Sequence, residues 1–328
     1  MLSYALKRLV QSLIVILLMT IVIFIGIWFI GNPADALISP DATMAEREAA
    51  IVALGLDKPL WQQYLDFLSG VFRGDFGNSF VYRAPVTEIL AARLPASLEL
   101  AFVSFVIAVS VSIPLGLYAG LRPQSPFSQG IMGFSLVGVS IPQFWQGMVL
   151  IIIFGITLSV LPVGGRGETA TFLGITSSLW TWDGLAHLIL PAVNMALLKM
   201  SLLIRVTRAA VMEVSRLDYV TFARAKGVRK HRIVTHHILR NVLLPIVTVL
   251  GIEIGNLIAY AVITETVFSW PGLGRLLISS VQVLDRPMIL AYLCFTAMLF
   301  IFLNFIVDIL YTYIDPRVRD AIQAGGRK

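Results

Sequence analysis

Long apolar stretches alternate with short polar ones along this chain. Leu9 to Ile30 runs 22 residues without a charge, enough to cross roughly 30 Å of hydrocarbon as a helix. Five more stretches of comparable character follow, at Leu94–Leu121, Gly130–Val160, Leu185–Ile204, Leu243–Phe268 and Met288–Tyr313. The pattern predicts an all-α polytopic membrane protein with six transmembrane helices. Gly138, Pro142 and Gly147 interrupt the third stretch and predict a kink there. A cleaved signal peptide would carry a shorter apolar core and a small-residue cleavage site. The first helix, residues 1–30, is therefore expected to stay in the protein.

The polar stretches differ among themselves. Residues 31–93 hold eight acidic and five basic residues and no run long enough to span. Helical spacing predicts two short amphipathic helices in this segment, at Ala42–Leu54 and Pro59–Leu68. Gly70–Ser79 is rich in turn formers. A segment of this kind is expected to cover the outer mouth of a pathway. Arg122–Pro126 makes a tight turn, and Leu161–Gly184 and Ser269–Pro287 read as loops. Trp180 and Trp182 suit the membrane interface. The expected organisation is a first helix (1–30), an external segment (31–93), a five-helix core (94–313) with a long polar loop at 209–242, and a polar tail (314–328).

Charge orients this arrangement. Six spans put both ends on one side. That side then holds 16 Lys and Arg against eight on the other, five of those eight in the long segment 31–93, where the positive-inside rule is weak. The loops assigned to the cytoplasm are the basic ones. Only 13% of residues are charged and 57% are hydrophobic, with a mean hydropathy of +0.85. A soluble domain carries about 25% charged residues. The net charge of +6 sits beside apolar runs, so a nucleic-acid partner is not expected. Cys294 is the single cysteine and lies in an apolar run, which excludes a disulfide within the chain. There is no Walker-type phosphate loop and no His/Cys set at metal-ligand spacing. No cofactor or metal is expected in this chain, and any energy source lies elsewhere.

The polar loop is the densest feature. Arg205 to Arg240 carries nine Lys or Arg against Glu213 and Asp218. Val214, Leu217, Tyr219 or Val220, and Ala223 recur near helical spacing, and Gly227 suits a left-handed C-terminal cap. A second short helix is expected from about Arg229 to Arg240. Two readings stand at this point: a patch for anionic membrane lipids, or a docking element for another protein.

Further residues narrow the choice. Asp218-Tyr219-Val220 precedes Thr221-Phe222-Ala223-Arg224-Ala225-Lys226-Gly227, and Leu239-Arg240-Asn241 leads to Leu244-Pro245. This run resembles the EAA-type coupling motif of ABC-importer permeases, in the variant of the dipeptide, oligopeptide, nickel and glutathione importers. Tyr4–Leu9, Leu54–Tyr64, Gly74–Ser79, Ile189-Leu190-Pro191, Phe268–Leu277 and Asp315–Arg319 resemble the same family in order and spacing, over nearly the whole chain. Thr221 stands where the general motif has Glu, Phe222 where it has Ala, and the Leu-Pro pair comes later.

The resemblance implies a type I ABC importer permease fold. It implies a pathway shared with a homologous second permease subunit, two ATPase subunits that bind ATP and Mg, and an external solute-binding protein. It implies that 209–242 is a coupling loop, with Tyr219, Thr221, Ala223, Arg224, Ala225, Lys226 and Gly227 at the ATPase. It points to di- or oligopeptides as substrate, with nickel complexes, glutathione or another small solute as the alternative. The chain itself would not be an enzyme.

Ionisable residues inside spans have a pairing or functional role. Lys199 lies six residues before Arg205 and Glu253 eight after Pro245, about 9 and 12 Å deep from the same side at 1.5 Å per residue. The two are expected either to pair near the pathway, or to snorkel and bond separately. Glu99, Glu265 and Asp308 are further candidates. A proton-coupled secondary transporter would use such acids without a motor, but it leaves the basic loop unexplained. A membrane hydrolase would need a GxSxG or HExxH constellation, and neither occurs.

Overall fold

A computed structural model of the chain describes residues 2–30, 43–53, 55 and 57–314. The expected tail from 315, the stretch 31–42 and the Asp308 side chain lie outside the described residues. The chain divides into two compact units: residues 1–97 with 271–302, and residues 98–270 with 303–328.

In the first unit, α1 (Leu2–Ile30) is the expected first helix. α2 (Met44–Ala53) starts with a reciprocal cap, Thr43 N donating to Glu46 Oε2 at 2.8 Å and Glu46 N to Thr43 Oγ1 at 3.4 Å. α3 (Leu60–Arg73) runs five residues past the expected Leu68 and stops at Gly74, whose φ of 73° few other residues adopt. It docks on α1: Phe24 meets Tyr64 edge-on at 5.4 Å and stacks near Phe67 at 6.2 Å.

The segment Ser269–Pro287, expected as a loop, contains a further helix. Its residues Leu273–Gln282 place Leu273 and Leu276 on one buried face against Val86, Leu90, Met288 and Tyr292. The Ser97 hydroxyl accepts from Leu273 N at 2.7 Å. The turn Gly74–Ser79 is pinned by buried Asp285, which accepts from the Ser79 hydroxyl and from Phe80 N at 3.1 Å. Asp285 directly precedes the last helix, Arg286–Ile314.

α4 (Val86–Leu121) passes through both Pro95 and Pro114. Proline is tolerated inside membrane helices where neighbouring groups satisfy the freed carbonyl. The third apolar stretch is broken rather than kinked. α5 (Pro126–Ser140) and α6 (Gln143–Leu150) meet at 111°, and α6 continues as a π-helical turn, Ile151–Thr157. Pro142 forces Ile141 into extended backbone, φ −92° and ψ 130°, so the helix must stop there.

One small element departs from the all-α expectation. β1 (Ala170–Phe172) pairs antiparallel with β2 (Ile175–Ser177). Leu173 and Gly174 both have positive φ, as a two-residue hairpin turn requires.

The remaining helices of the second unit are α7 (Trp182–Val214), α8 (Asp218–Ala225), α9 (Lys230–Arg232), a π segment at Ile233–Leu239, and α10 (Arg240–Val267). α7 is the spine. Gly116 and Gly120 of α4 form a GxxxG pair, and a Cβ on either would lie 2.5 Å from Thr207 Cβ or Val211 Cβ of α7. Small residues bring membrane helices into backbone contact in this way. Gly138 of α5 makes the same approach to Ser201.

Among the described residues, four helices are long and apolar enough to cross a membrane, five when the bent pair is counted as one span. Leu13–Gly26 of α1 is a shorter apolar stretch.

Gly120→Val tests the α4–α7 contact. The added methyls meet Val211 and cost about 1–3 kcal/mol in overpacking. The thermal-unfolding midpoint of the detergent-solubilised protein is expected to fall, and an unchanged midpoint would mean that the two helices do not meet there.

Candidate functional site: a capped hairpin and a buried ion pair

The basic loop folds as a hairpin between α7 and α10. α8 presents two faces. Val220 and Ala223 are buried against Ala210, Val211, Ile233, Ile238, Val242 and Ile246. Thr221, Phe222, Arg224, Ala225, Lys226 and Gly227 are exposed. The helix ends in a Schellman motif: Val228 N donates to Ala223 O at 3.2 Å and Gly227 N to Arg224 O at 3.0 Å, with Gly227 at φ 75°.

The expected coupling residues therefore separate by position. Ala223 anchors the helix from within. Tyr219 is partly exposed, but its hydroxyl donates to His237 O at 3.2 Å and accepts from Asn241 Nδ2 at 2.8 Å. It ties α8 to the other arm of the hairpin. The second arm is not a free short helix. Helix continues from Lys230 through the π segment into α10, because no Gly or Pro falls between Lys230 and Leu244 to end it. α10 holds Pro245 internally.

Phe222 was not among the expected site residues. Its ring is 61% exposed, and Lys226 Nζ lies 4.5 Å from the ring centroid. An aromatic ring on the polar face of a short amphipathic helix was the available signal. The exposed face thus combines one apolar knob with the cations Arg224 and Lys226.

Behind the hairpin, α7 and α10 carry the buried pair. Lys199 Nζ lies 2.6 Å from Glu253 Oε2, with the two side chains 2% and 16% exposed. Removing Glu253 would leave the Lys199 charge buried and unpaired, which costs about 3–5 kcal/mol.

Glu99 also has a partner that its spacing did not reveal. It is buried and accepts from Ser178 N at 2.9 Å, from the Ser178 hydroxyl, and from Arg166 Nη2 at 2.5 Å. Arg166 and Ser178 lie in the Leu161–Gly184 loop, so this carboxylate fastens the loop and its hairpin to α4. Among the described residues, no group of three or more His, Cys, Asp or Glu side chains is placed to hold a metal ion.

These features define a helical membrane protein with a rigid, basic, knobbed hairpin joined to its spans. Residues 112–320 match the binding-protein-dependent transport system inner membrane component family, and residues 1–101 match the N-terminal family of the same membrane components. The chain belongs to the binding-protein-dependent transport system inner membrane components.

It is 38% identical over 336 residues to the dipeptide transport system permease protein DppB of Escherichia coli (strain K12), covering 97% of this chain and 99% of that one. It is 38% identical over 320 residues to the oligopeptide transport system permease protein AppB of Bacillus subtilis (strain 168), with the same coverage. The di/tripeptide transport system permease protein DppB of Pseudomonas aeruginosa (strain UCBPP-PA14) is 39% identical over 88% of this chain and 90% of its own length. A solved chain of the MetNI methionine ABC transporter, in an inward-facing form, overlays 69% of this chain and 96% of its own with a TM-score of 0.51 at 16% identity. That likeness speaks for the fold alone.

Gly227→Ala tests the cap. No atom lies within 4 Å of the added Cβ, so the effect is conformational, about 1–2 kcal/mol for holding an alanine in the left-handed region. Tryptic cleavage after Arg224 and Lys226 is expected to accelerate several-fold, and an unchanged digestion rate would show that the cap does not hold the hairpin.

Proposed function

We propose that this chain is a permease subunit of an ATP-driven, binding-protein-dependent importer of di- or oligopeptides, resident in the inner membrane. The observation that carries this reading is near-full-length identity to three peptide-transport permeases. The chain supplies pathway and lever and is not itself an enzyme. ATP and Mg belong to two separate ATPase subunits. A homologous permease completes the pathway, an external solute-binding protein delivers the peptide, and both termini lie in the cytoplasm.

The lever is α8. Its Schellman cap and buried face hold it rigidly, while Phe222, Arg224 and Lys226 stand out from it. Phe222 enters an apolar groove on the ATPase and the two cations meet acidic groups at its rim. Tyr219 and Ala223 keep the helix in register, and Thr221, Ala225 and Gly227 allow close approach. Closing of the ATPase pair moves the hairpin, and a bistable bundle turns that motion into alternating access.

Phe222→Ala is expected to weaken retention of the ATPase subunits on the tagged chain about tenfold or more, as loss of a buried aromatic anchor does. Uptake of a dipeptide is expected to stop when ATP hydrolysis is blocked. Uptake that persists, or a chain that retains no ATPase at all, would overturn the importer reading.

The Lys199–Glu253 pair is placed at the pathway in the same proposal. Lys199→Glu and Glu253→Lys are each expected to abolish uptake, and the double exchange to restore a measurable fraction. A double variant no better than either single would remove the pair from the working mechanism.

A further inference from the structure

A second polar cluster lies where the broken span meets the spine. Gln146 Nε2 donates to Gly138 O at 2.9 Å and to Ile141 O at 3.0 Å. It thereby satisfies carbonyls that the helix break leaves without partners. That role accounts for the Gln146 amide nitrogen, while its carbonyl end, Oε1, is buried without a hydrogen-bond partner. Gln143 and Asn194 have no such explanation. Gln143 Nε2 and Asn194 Nδ2 both donate to the hydroxyl of Thr264, at 2.8 and 3.1 Å. Gln143 is 9% exposed, and Asn194 and Thr264 are fully buried. The carbonyl ends, Gln143 Oε1 and Asn194 Oδ1, are buried and have no hydrogen-bond partner.

Rotating either amide does not remove the problem. One hydroxyl faces two amide groups, each with a donor end and an acceptor end. Whichever ends meet the hydroxyl, the opposite ends remain unfilled. Packing alone would favour apolar side chains here, because an unfilled buried carbonyl destabilises the fold. The two amides and the hydroxyl are drawn from three separate elements, α6, α7 and α10. Gly147 keeps α6 close, since a Cβ there would sit 3.4 Å from Asn194 Nδ2 and 3.0 Å from Val267 Cγ1.

A ligand that fits two neutral amides is itself a neutral amide. A peptide bond offers one N–H and one C=O, which two Asn or Gln side chains can pair in either direction. A charged terminus fits less well, because Gln143, Asn194 and Thr264 supply no countercharge of their own. We propose that Gln143 and Asn194 form a substrate subsite that hydrogen-bonds a peptide bond of the transported peptide. In the structure Thr264 holds the same two side chains together. Such a subsite reads the backbone and ignores side chains. This inference rests on the peptide-importer reading.

The test uses the assembled transporter with its binding protein in proteoliposomes. Two probes are compared: trialanine, and trialanine N-methylated at its first peptide bond. The variants are Gln143→Met and Asn194→Ser, the second keeping a small hydroxyl beside Gly147. The ratio of transport KM between the two probes is the readout. The binding protein's own preference cancels when the ratio is compared between wild type and variant. The wild type is expected to discriminate about tenfold, as for one lost hydrogen bond, and the variants to bring the ratio toward that of the binding protein alone. A ratio unchanged in both variants overturns the subsite, as does an equal loss for both probes. Failure of both variants to assemble marks the cluster as purely structural and also overturns it. If the wild type takes up no di- or oligopeptide at all, the peptide reading itself fails instead.

Discussion

Backbone contact with α7 is the constraint on which the second unit depends. Within hydrocarbon there is no hydrophobic drive to bring two helices together, so closeness must come from small residues and shape. Gly116, Gly120 and Gly138 supply it, each leaving no room for a Cβ against Thr207, Val211 or Ser201. Once α4 and α5 are seated on the spine, the rest has little freedom. The chain must break at Pro142, Gln146 must cap the break, and Glu99 can fasten the loop that precedes α7. The hairpin then closes on a cluster that α4, α7 and α10 already provide.

The same constraint explains where the ionic groups went. Lys199 and Glu253 face each other because α7 and α10 pack side by side, and the nearly complete burial of Lys199 makes its charge depend on that partner. Glu99 solves the equivalent problem with Arg166 and Ser178 from a loop. Asp285 does so with Ser79 and a backbone amide in the first unit. In each case a buried carboxylate joins segments far apart in the chain, so it orders the fold as well as neutralising charge.

Sequence periodicity sufficed for what is local. Apolar run length located the long helices, and Gly227 marked the end of α8 because a left-handed cap is a property of one residue. The Lys199–Glu253 pairing was reachable from comparable depth on consecutive spans. What escaped depends on partners distant in the chain or on continuity. Arg166 could not be assigned to Glu99 by spacing, since 67 residues separate them. The sharp break at Pro142 read as a kink because proline alone does not set an angle. The second hairpin arm read as a separate helix, yet nothing in Lys230–Leu244 stops it from joining α10. The GxxxG pair Gly116–Gly120 was visible but indistinguishable from ordinary glycine in an apolar run. The hairpin turn at Leu173-Gly174 was masked by the surrounding loop composition.

The cluster under α8 has a mechanical consequence. Val220 and Ala223 are set among side chains from α7, the π segment and α10, with Ile113, Leu117 and Leu121 of α4 packed on the outside. The hairpin is thus a crank with three shafts. A force on its exposed face cannot be absorbed by bending one of them, because a close-packed interior has low compliance. A load applied there would be shared, and the three helices would be displaced together.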